Sequence, residues 1–229
     1  MIAKMHLRLR AYRKRWKAQK RGETELALLP LLVKGGVAVD IGANKGVYSY
    51  FLSRLCDRVI AYEANPDLAA QLRRYGLRGL EVRAKALSDV TGEAPFYIPL
   101  SKTGKRRNNV AGLDTPEGQV DEIKVQRARL DDESLIDISF IKIDVEGHEL
   151  SVLRGAEKTI LRERPILLVE INGGPKTDNA REIFALLTRW HYTPLQHFKG
   201  QLMHYSMLPS KSRRPRDRNY ICLPSRPPE

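Results

Sequence analysis

Asp40, Glu63 and Asp144 each stand where a short apolar run ends, the place at which an open α/β sheet presents side chains to a ligand. Residues 37–46 read Val-Ala-Val-Asp-Ile-Gly-Ala-Asn-Lys-Gly, a strand that breaks at Gly42 into small residues ahead of a helix. A strand, a tight glycine turn and a helix N-terminus offer a nucleotide-like ligand a backbone it can approach closely and unpaired N–H groups. Glu63 follows Gly42 by twenty-one residues, at the end of a second apolar run. An acid there is placed to accept both hydroxyls of a ribose.

Two ligands compete for this unit. A dinucleotide site needs Gly-x-Gly-x-x-Gly, but Asn44 stands at the middle glycine and Val47 at the last. Asn44 can still take a left-handed conformation, whereas the branched Val47 obstructs the close helix–strand contact that a third glycine permits. Asp40 adds an electrostatic argument: a carboxylate at the strand end repels a pyrophosphate and attracts the ammonium and sulfonium of S-adenosylmethionine. The residues favour S-adenosylmethionine.

The chain has 229 residues, 42% of them hydrophobic, enough for one sizeable core and a single α/β domain with short tails. Its formal net charge of +13 suggests nucleic acid until it is divided along the chain. Residues 1–21 hold nine Lys or Arg and no acid, residues 211–229 hold six basic and two acidic residues, and residues 22–210 hold 25 of each. The basicity belongs to the tails, which weakens nucleic acid as the partner. Cys56 and Cys222 are too few for a disulfide framework or a zinc site and read as small buried hydrophobes. No apolar run approaches the ~20 residues of a membrane span. The stretch 26–33 starts late, is broken by Pro30 and lacks a cleavage pattern, so it is not a secretory segment. The expectation is a soluble, cytoplasmic protein.

The elements that must position these residues alternate. After a helix over 23–33, the pattern predicts strand 37–41, helix 47–55, strand 58–63, helix 66–75 and strand 80–84. Pro66 stands where a proline opens a helix. From 94 to 125 the pattern is irregular, with short extended pieces at 96–98 and 123–125 around a polar loop holding Lys102, Lys105, Arg106 and Arg107. Alternation resumes with strand 139–144, helix 148–161, strand 166–171 and helix 179–190, and strands near 193–197 and 219–223 close the sheet. Such alternation specifies a mainly parallel sheet with helices on both faces. The Arg- and Pro-rich stretch 211–218 reads as a loop.

Four motifs can then be read together: Val-Asp-Ile-Gly-Ala-Asn-Lys-Gly at 39–46, Tyr-Glu-Ala-Asn-Pro at 62–66, Ala-Leu-Ser-Asp at 86–89, and Phe-Ile-Lys-Ile-Asp-Val-Glu-Gly-His-Glu at 140–149. In these the chain resembles the FkbM-type methyltransferases over residues 23–224, leaving a basic N-terminal helix at 1–22 and a tail at 225–229. The resemblance implies a Rossmann-like class I methyltransferase fold, α/β, with a mostly parallel seven-stranded sheet whose final strand is antiparallel. It implies O-methylation of hydroxyls on sugars, glycolipids or secondary metabolites. Position 148, often aromatic in that family, is His148 here, and the basic leader falls outside the family pattern. Carried over, the strand end and loop at Asp40, Gly42, Ala43, Asn44 and Gly46 hold the methionine end, and Glu63 the ribose. Ala64 and Asn65 line the adenine face, and Ser88 and Asp89 lie near the adenine amino group. Asp89 has its own warrant, since a carboxylate accepts from an exocyclic N–H; it also reads as a turn residue before Thr91-Gly92.

Chemistry concentrates where the run 140–143 ends on Asp144, which faces the bound methionine. Displacement at a sulfonium has a good leaving group already, so alignment of the acceptor oxygen is the main task. A sugar hydroxyl must also lose its proton, and His148 and Asp144 are the candidate catalytic bases. Glu146 and Glu149 read as favourable charges near a helix N-terminus. The implied strand order puts Glu170 and Asn172 across the cleft from Asp144, an oxygen set that leaves a divalent metal such as magnesium open. Lys142, inside an apolar strand, needs a buried partner and reads as half of an ion pair.

In the leader, Ile2, Met5, Leu9, Tyr12 and Trp16 recur at three and four residues and make one apolar stripe on a cationic helix. Two readings stand: binding to an anionic membrane surface at the inner face of the membrane, or a flap docked on this domain or on a second subunit of a homodimer. Two further functions compete with O-methylation. Nucleic-acid methylation is weakened by the neutral middle of the chain and the absence of an Asn- or Asp-Pro-Pro-Tyr motif. A membrane-associated, non-enzymatic module with a degenerate fold is weakened by the intact acids at 40, 63 and 144.

Overall fold

Apolar runs with the alternation of strands are punctuated by helices whose apolar residues recur every three or four positions. In chain order they form α1 (Ile2–Arg21), α2 (Glu25–Leu32), β1 (Val37–Ile41), α3 (Val47–Leu52), β2 (Arg58–Tyr62), α4 (Pro66–Arg74) and β3 (Leu80–Arg83). β4 (Ala86–Leu87), β5 (Gly92–Pro99), β6 (Val120–Ala128), β7 (Ile138–Ile143), α5 (Glu149–Arg154), α6 (Glu157–Glu163) and β8 (Ile166–Glu170) follow. The chain continues with α7 (Asp178–Arg189), β9 (Tyr192–Phe198), β10 (Gln201–His204) and β11 (Asn219–Pro224). This computed structural model describes residues 2–21, 25–101, 103–115, 118–171, 177–198, 200–208 and 218–225. Asn172, Lys102, most of the Arg- and Pro-rich stretch and the tail beyond 225 lie outside the described residues.

The main sheet has the order β10-β9-β11-β8-β7-β1-β2-β3. β3, β2, β1, β7 and β8 run parallel, and β11 runs antiparallel to both β8 and β9. Seven of these strands make the expected sheet with its reversed last strand. The count of seven is corrected to eight, because β9 doubles back at Gly200, φ 85°, and β10 pairs antiparallel with it from Phe198↔Gln201 onward. Side chains alternate across the sheet with period two. Val39, Ile41, Ile141 and Val169 join a core with Leu153 and Ile160 of α5 and α6 and with Phe184 of α7. Ala38, Phe140, Leu168 and Ile221 join the opposite core with Leu29, Phe51 and Leu72 of α2, α3 and α4. Burial of each large side chain contributes about 1.5–3 kcal/mol.

Three expectations change. The irregular region 94–125 is ordered as a second sheet, β4-β6-β5, in which β5 and β6 pair antiparallel from Gly92↔Arg127 to Pro99↔Val120. The single helix expected over 148–161 is two helices. Gly155 separates them by lying against Ser88: a Cβ there would be 1.9 Å from the Ser88 carbonyl oxygen. The Asp131 carboxylate then caps the start of α6 by accepting the N–H groups of Lys158 and Thr159 at 3.2 and 2.8 Å. Gly155→Ala should therefore lower unfolding free energy by at least about 1 kcal/mol, the scale of overpacking, read as a reduced denaturant midpoint; an unchanged midpoint would show that the Ser88 backbone yields.

The third change concerns α1. It packs against α3 and α2, but through Ala3, Leu7 and Ala11 rather than through the expected stripe. Met5 and Leu9 of that stripe are more than half exposed. Tyr12 is at the margin, its ring meeting Tyr50 and Phe51 edge-on at 6.2 and 5.8 Å. The side chains of Ile2 and Trp16 lie outside the described ones. Among the described residues, no helix is long and apolar enough to cross a membrane.

Candidate active site

β1 and β2 end side by side, with Ile41 opposite Tyr62. There the chain turns at Gly42 with φ 76°, and a Cβ at this residue would lie 1.8 Å from the Asp144 carbonyl oxygen. The N–H groups of Gly42 and Ala43 both donate to the Tyr62 carbonyl, at 3.0 and 3.1 Å. Asn44 takes the left-handed φ of 49° anticipated for it. Its N–H donates to Glu63 Oε2 at 2.6 Å, and the Asn65 N–H donates to Glu63 Oε1 at 2.9 Å. Glu63 is 6% exposed. Burial pushes its carboxyl up to about 7, against the lowering effect of the two backbone bonds.

This corner forms one end of a cavity of about 450 Å³, within the roughly 300–1,000 Å³ typical of small-molecule sites. Gly42, Asn44, Glu63, Ala64, Asp144 and His148 line it, as do Glu25, Tyr48, Phe96, Asn108 and Glu170. Other sequence-predicted residues are close by but do not line it. Asp40 is fully buried, with Oδ2 accepting from Ser49 Oγ at 2.5 Å and Oδ1 lacking any hydrogen-bond partner. Ala43 is buried in the turn, and Gly46 opens α3 at a point where a Cβ would meet Leu72 at 2.4 Å. Asn65 caps α4 by accepting the Asp67 N–H at 3.0 Å. Ser88 is buried and Asp89 accepts from its hydroxyl at 3.1 Å.

At the far end, Lys142 is buried and donates to Asp144 Oδ2 at 2.8 Å, the ion pair expected of a lysine in an apolar strand. Burial opposes its charge, but Asp144, Asp40 and Glu170 outweigh burial and hold the ammonium protonated. Lys142 also lies 4.7 Å from the centre of the Tyr48 ring. Carboxylates thus outnumber cations around Lys142. This donor set fits the cationic methionine end of S-adenosylmethionine, with Glu63 and the Gly42–Asn44 turn left for the ribose.

His148 occupies the N-cap of α5, and its Nε2 lies 2.9 Å from Ser88 Oγ. Its Nδ1 is 3.9 Å from Asp114 Oδ1. Burial lowers the imidazole below its ordinary value, although Asp114 and Asp89 pull the other way. Neighbouring Glu146 has a left-handed φ of 53° and lines the cavity, a conformation that costs a non-glycine residue about 1–2 kcal/mol. Glu149, read as a charge near a helix N-terminus, opens α5 and is fully buried there, with Oε1 accepting the Gly147 N–H at 2.9 Å.

The turn Asn108–Val110 and residues 111–114 cover the cavity from the second sheet. Asn65 Nδ2 donates to Asn108 Oδ1 at 3.2 Å, and Asn44 Nδ2 to Asn108 O at 3.4 Å. A wall is braced by Glu133, which accepts from Tyr62 Oη at 3.0 Å and Lys85 Nζ at 2.9 Å and also pairs with Arg83. Glu25, Tyr48, Phe96, Asn108 and Asp114 were missed by sequence reasoning. Glu25 and Tyr48 look there like ordinary helix residues, and the other three lie where no motif guides the reading. Among the described residues, no group of three or more His, Cys, Asp or Glu is arranged to hold a metal ion. Asn172, the third oxygen ligand considered, lies outside them.

Acids at the ends of β1, β2 and β7, a glycine turn between them and the strand order β3-β2-β1-β7-β8-β11-β9 with β11 reversed define a Rossmann-like methyltransferase. The family model for the methyltransferase FkbM domain matches residues 40–194. The chain belongs to this family of S-adenosylmethionine-dependent methyltransferases. It is 28% identical over 160 residues to the hexuronic acid methyltransferase AglP of Haloferax volcanii, a match covering 67% of this chain and 64% of that protein's length. Methyltransferase FkbM from Methylobacillus flagellatus KT aligns at 19% identity and a TM-score of 0.48, over 82% of this chain and 42% of that one. Precorrin-6y C5,15-methyltransferase from Geobacter metallireducens GS-15 aligns at 17% identity and a TM-score of 0.48, over 89% and 87%.

Proposed function

We propose that the chain methylates a hydroxyl oxygen of a sugar or sugar-linked acceptor, with His148 as the base. The observation that carries this reading is the imidazole of His148 in the wall of the cavity that Glu63 and Asp144 also line. The hexuronic acid substrate named for AglP supports a sugar as the acceptor class. S-adenosylmethionine, when bound, supplies a methyl carbon activated by its sulfonium leaving group. Glu63 accepts the ribose hydroxyls, and Asp144, oriented by Lys142, faces the methionine end. Ser88 has one hydroxyl proton, which it donates to Asp89. With that proton assigned to Asp89, His148 Nε2 is the donor to Ser88 Oγ, leaving Nδ1 to take the acceptor's proton. Asp114, near Nδ1, stabilises the imidazolium that forms. The loop 108–114 lies over the cavity and excludes water from the transfer.

The test is to incubate the protein with methyl-labelled S-adenosylmethionine and fractionated cell envelope, then treat the labelled glycan with alkali. Label that enters glycan and survives alkali is an ether on a hydroxyl, the expected result. Label released by alkali is an ester on a uronic acid carboxylate, an acceptor that needs no base. Label in nucleic acid would overturn the proposal altogether.

A further inference from the structure

We infer that α1 docks the enzyme on an anionic lipid surface through Met5 and Leu9. The helix carries two apolar faces. Ala3, Leu7 and Ala11 follow at intervals of four and pack on the domain, with Leu7 and Ala11 wholly buried. At 3.6 residues per turn, Met5 and Leu9 centre on the opposite side, about half a turn away. They are 53% and 55% exposed. One stripe is enough to hold a helix on its own domain; the second presents long apolar side chains outward.

Charge selects what covers it. Around the helix, exposed Lys4 and Arg8 flank the outward stripe on one side, and exposed Arg10 and Arg13 on the other. Residues 1–21 hold nine Lys or Arg and no acid. A second copy of this chain would bring the same excess of positive charge against itself, whereas an anionic bilayer attracts it. Apolar side chains enter the acyl boundary while the long basic ones reach headgroup phosphates. Docking of the inner face fixes the orientation of the outer one, so the helix is presented ready for the surface. Glu25 and Leu26, which line the cavity, follow α1 in the chain by four and five residues.

The full chain should sediment with vesicles of phosphatidylcholine and phosphatidylglycerol and stay in solution with phosphatidylcholine alone. Met5→Ser with Leu9→Ser should weaken that partition by roughly tenfold or more, since two apolar side chains no longer leave water, with the thermal midpoint and cofactor affinity unchanged. A measurement on the unaltered chain guards against a misfolded variant. Tryptophan emission should shift to the blue with the anionic vesicles; Trp190 is already buried, so the shift reports Trp16, four residues beyond Tyr12. Absence of sedimentation and of the shift, or partition that ignores the double substitution, overturns the proposal. A wild-type dimer that the substitutions turn into a monomer reassigns the stripe to a second copy.

Discussion

His148→Ala is expected to lower turnover by roughly 10²–10⁴ with cofactor affinity unchanged. The base acts when neutral, so the wild-type rate should fall as pH drops through the imidazole pKa. Burial holds that pKa below the ordinary value of 6.5, which puts the fall on the acid side of the usual histidine range and leaves a plateau at neutral pH. Asp114→Asn removes a charge that raises the pKa and should move the fall to still lower pH. Ser88→Ala removes the acceptor of the Nε2 proton and should reduce turnover by letting the ring take the wrong tautomer. A His148→Ala enzyme that keeps most of its rate on a hydroxyl acceptor would return the proton to Asp144 or leave alignment as the whole of catalysis. Partial recovery at raised pH would still favour the base, because a more readily ionised acceptor has less need of one.

Glu63→Ala should weaken binding of S-adenosylmethionine by about 1–3 kcal/mol, the scale of hydrogen bonds to a charged group, read by calorimetric titration. Its pH dependence distinguishes a ligand from a scaffold. The carboxyl is pushed up to about 7, so wild-type affinity should decline as pH falls below 7 and the group takes a proton, by up to about tenfold per unit. Glu63→Gln should bind weakly and without that slope. Stability of the unliganded protein runs the other way. A folded-state pKa above the reference 4.5 means that the fold prefers the neutral acid; the stability this group contributes is present below 4.5 and is lost as pH rises through 7. The stability advantage of wild type over Glu63→Gln should therefore shrink from pH 4.5 to about 7 and be flat above it, over the same window in which cofactor affinity grows. Equal cofactor affinity in wild type and Glu63→Ala would remove Glu63 from the site.

The parallel half of the fold was legible because β1, β2, β7 and β8 are largely buried and written in mostly apolar runs, and because Asp40, Glu63 and Asp144 stand at the ends of three of them. The cavity does bring Glu63, Asp144 and His148 together. What residue type could not convey was direction. Asp40 lies at the right strand end, yet it turns into the core toward Ser49 and Lys142 rather than toward the cavity. Ser88 was recognisable from its motif, but its bond to His148 joins residues sixty apart and depends on Gly155 admitting the Ser88 backbone between two helices. The leader shows the same limit: its spacing revealed an apolar stripe, while small Ala3 and Ala11 with Leu7, a less conspicuous set, made the contact. β5 and β6 were legible only as the short extended pieces 96–98 and 123–125; Pro95, Pro99 and exposed charges, which a one-sided antiparallel hairpin tolerates, hid their length and pairing.

That hairpin leaves and re-enters the fold at neighbouring points. Ala86 and Leu87 of β4 pair with Arg127 and Ala128 at the end of β6, so the chain departs for the second sheet and returns from it within one strand spacing. The eight-stranded sheet has no register with the intervening residues and does not sense their number. Closing a longer loop across ends already held together costs only about 0.6 kcal/mol per doubling of length. Residues 92–126 are thus a cover whose length the eight-stranded sheet does not fix, and which meets the Glu63 corner through Asn108, bonded to Asn44 and Asn65; the span between these ties can change the shape offered to an acceptor while the strand ends keep their pairing.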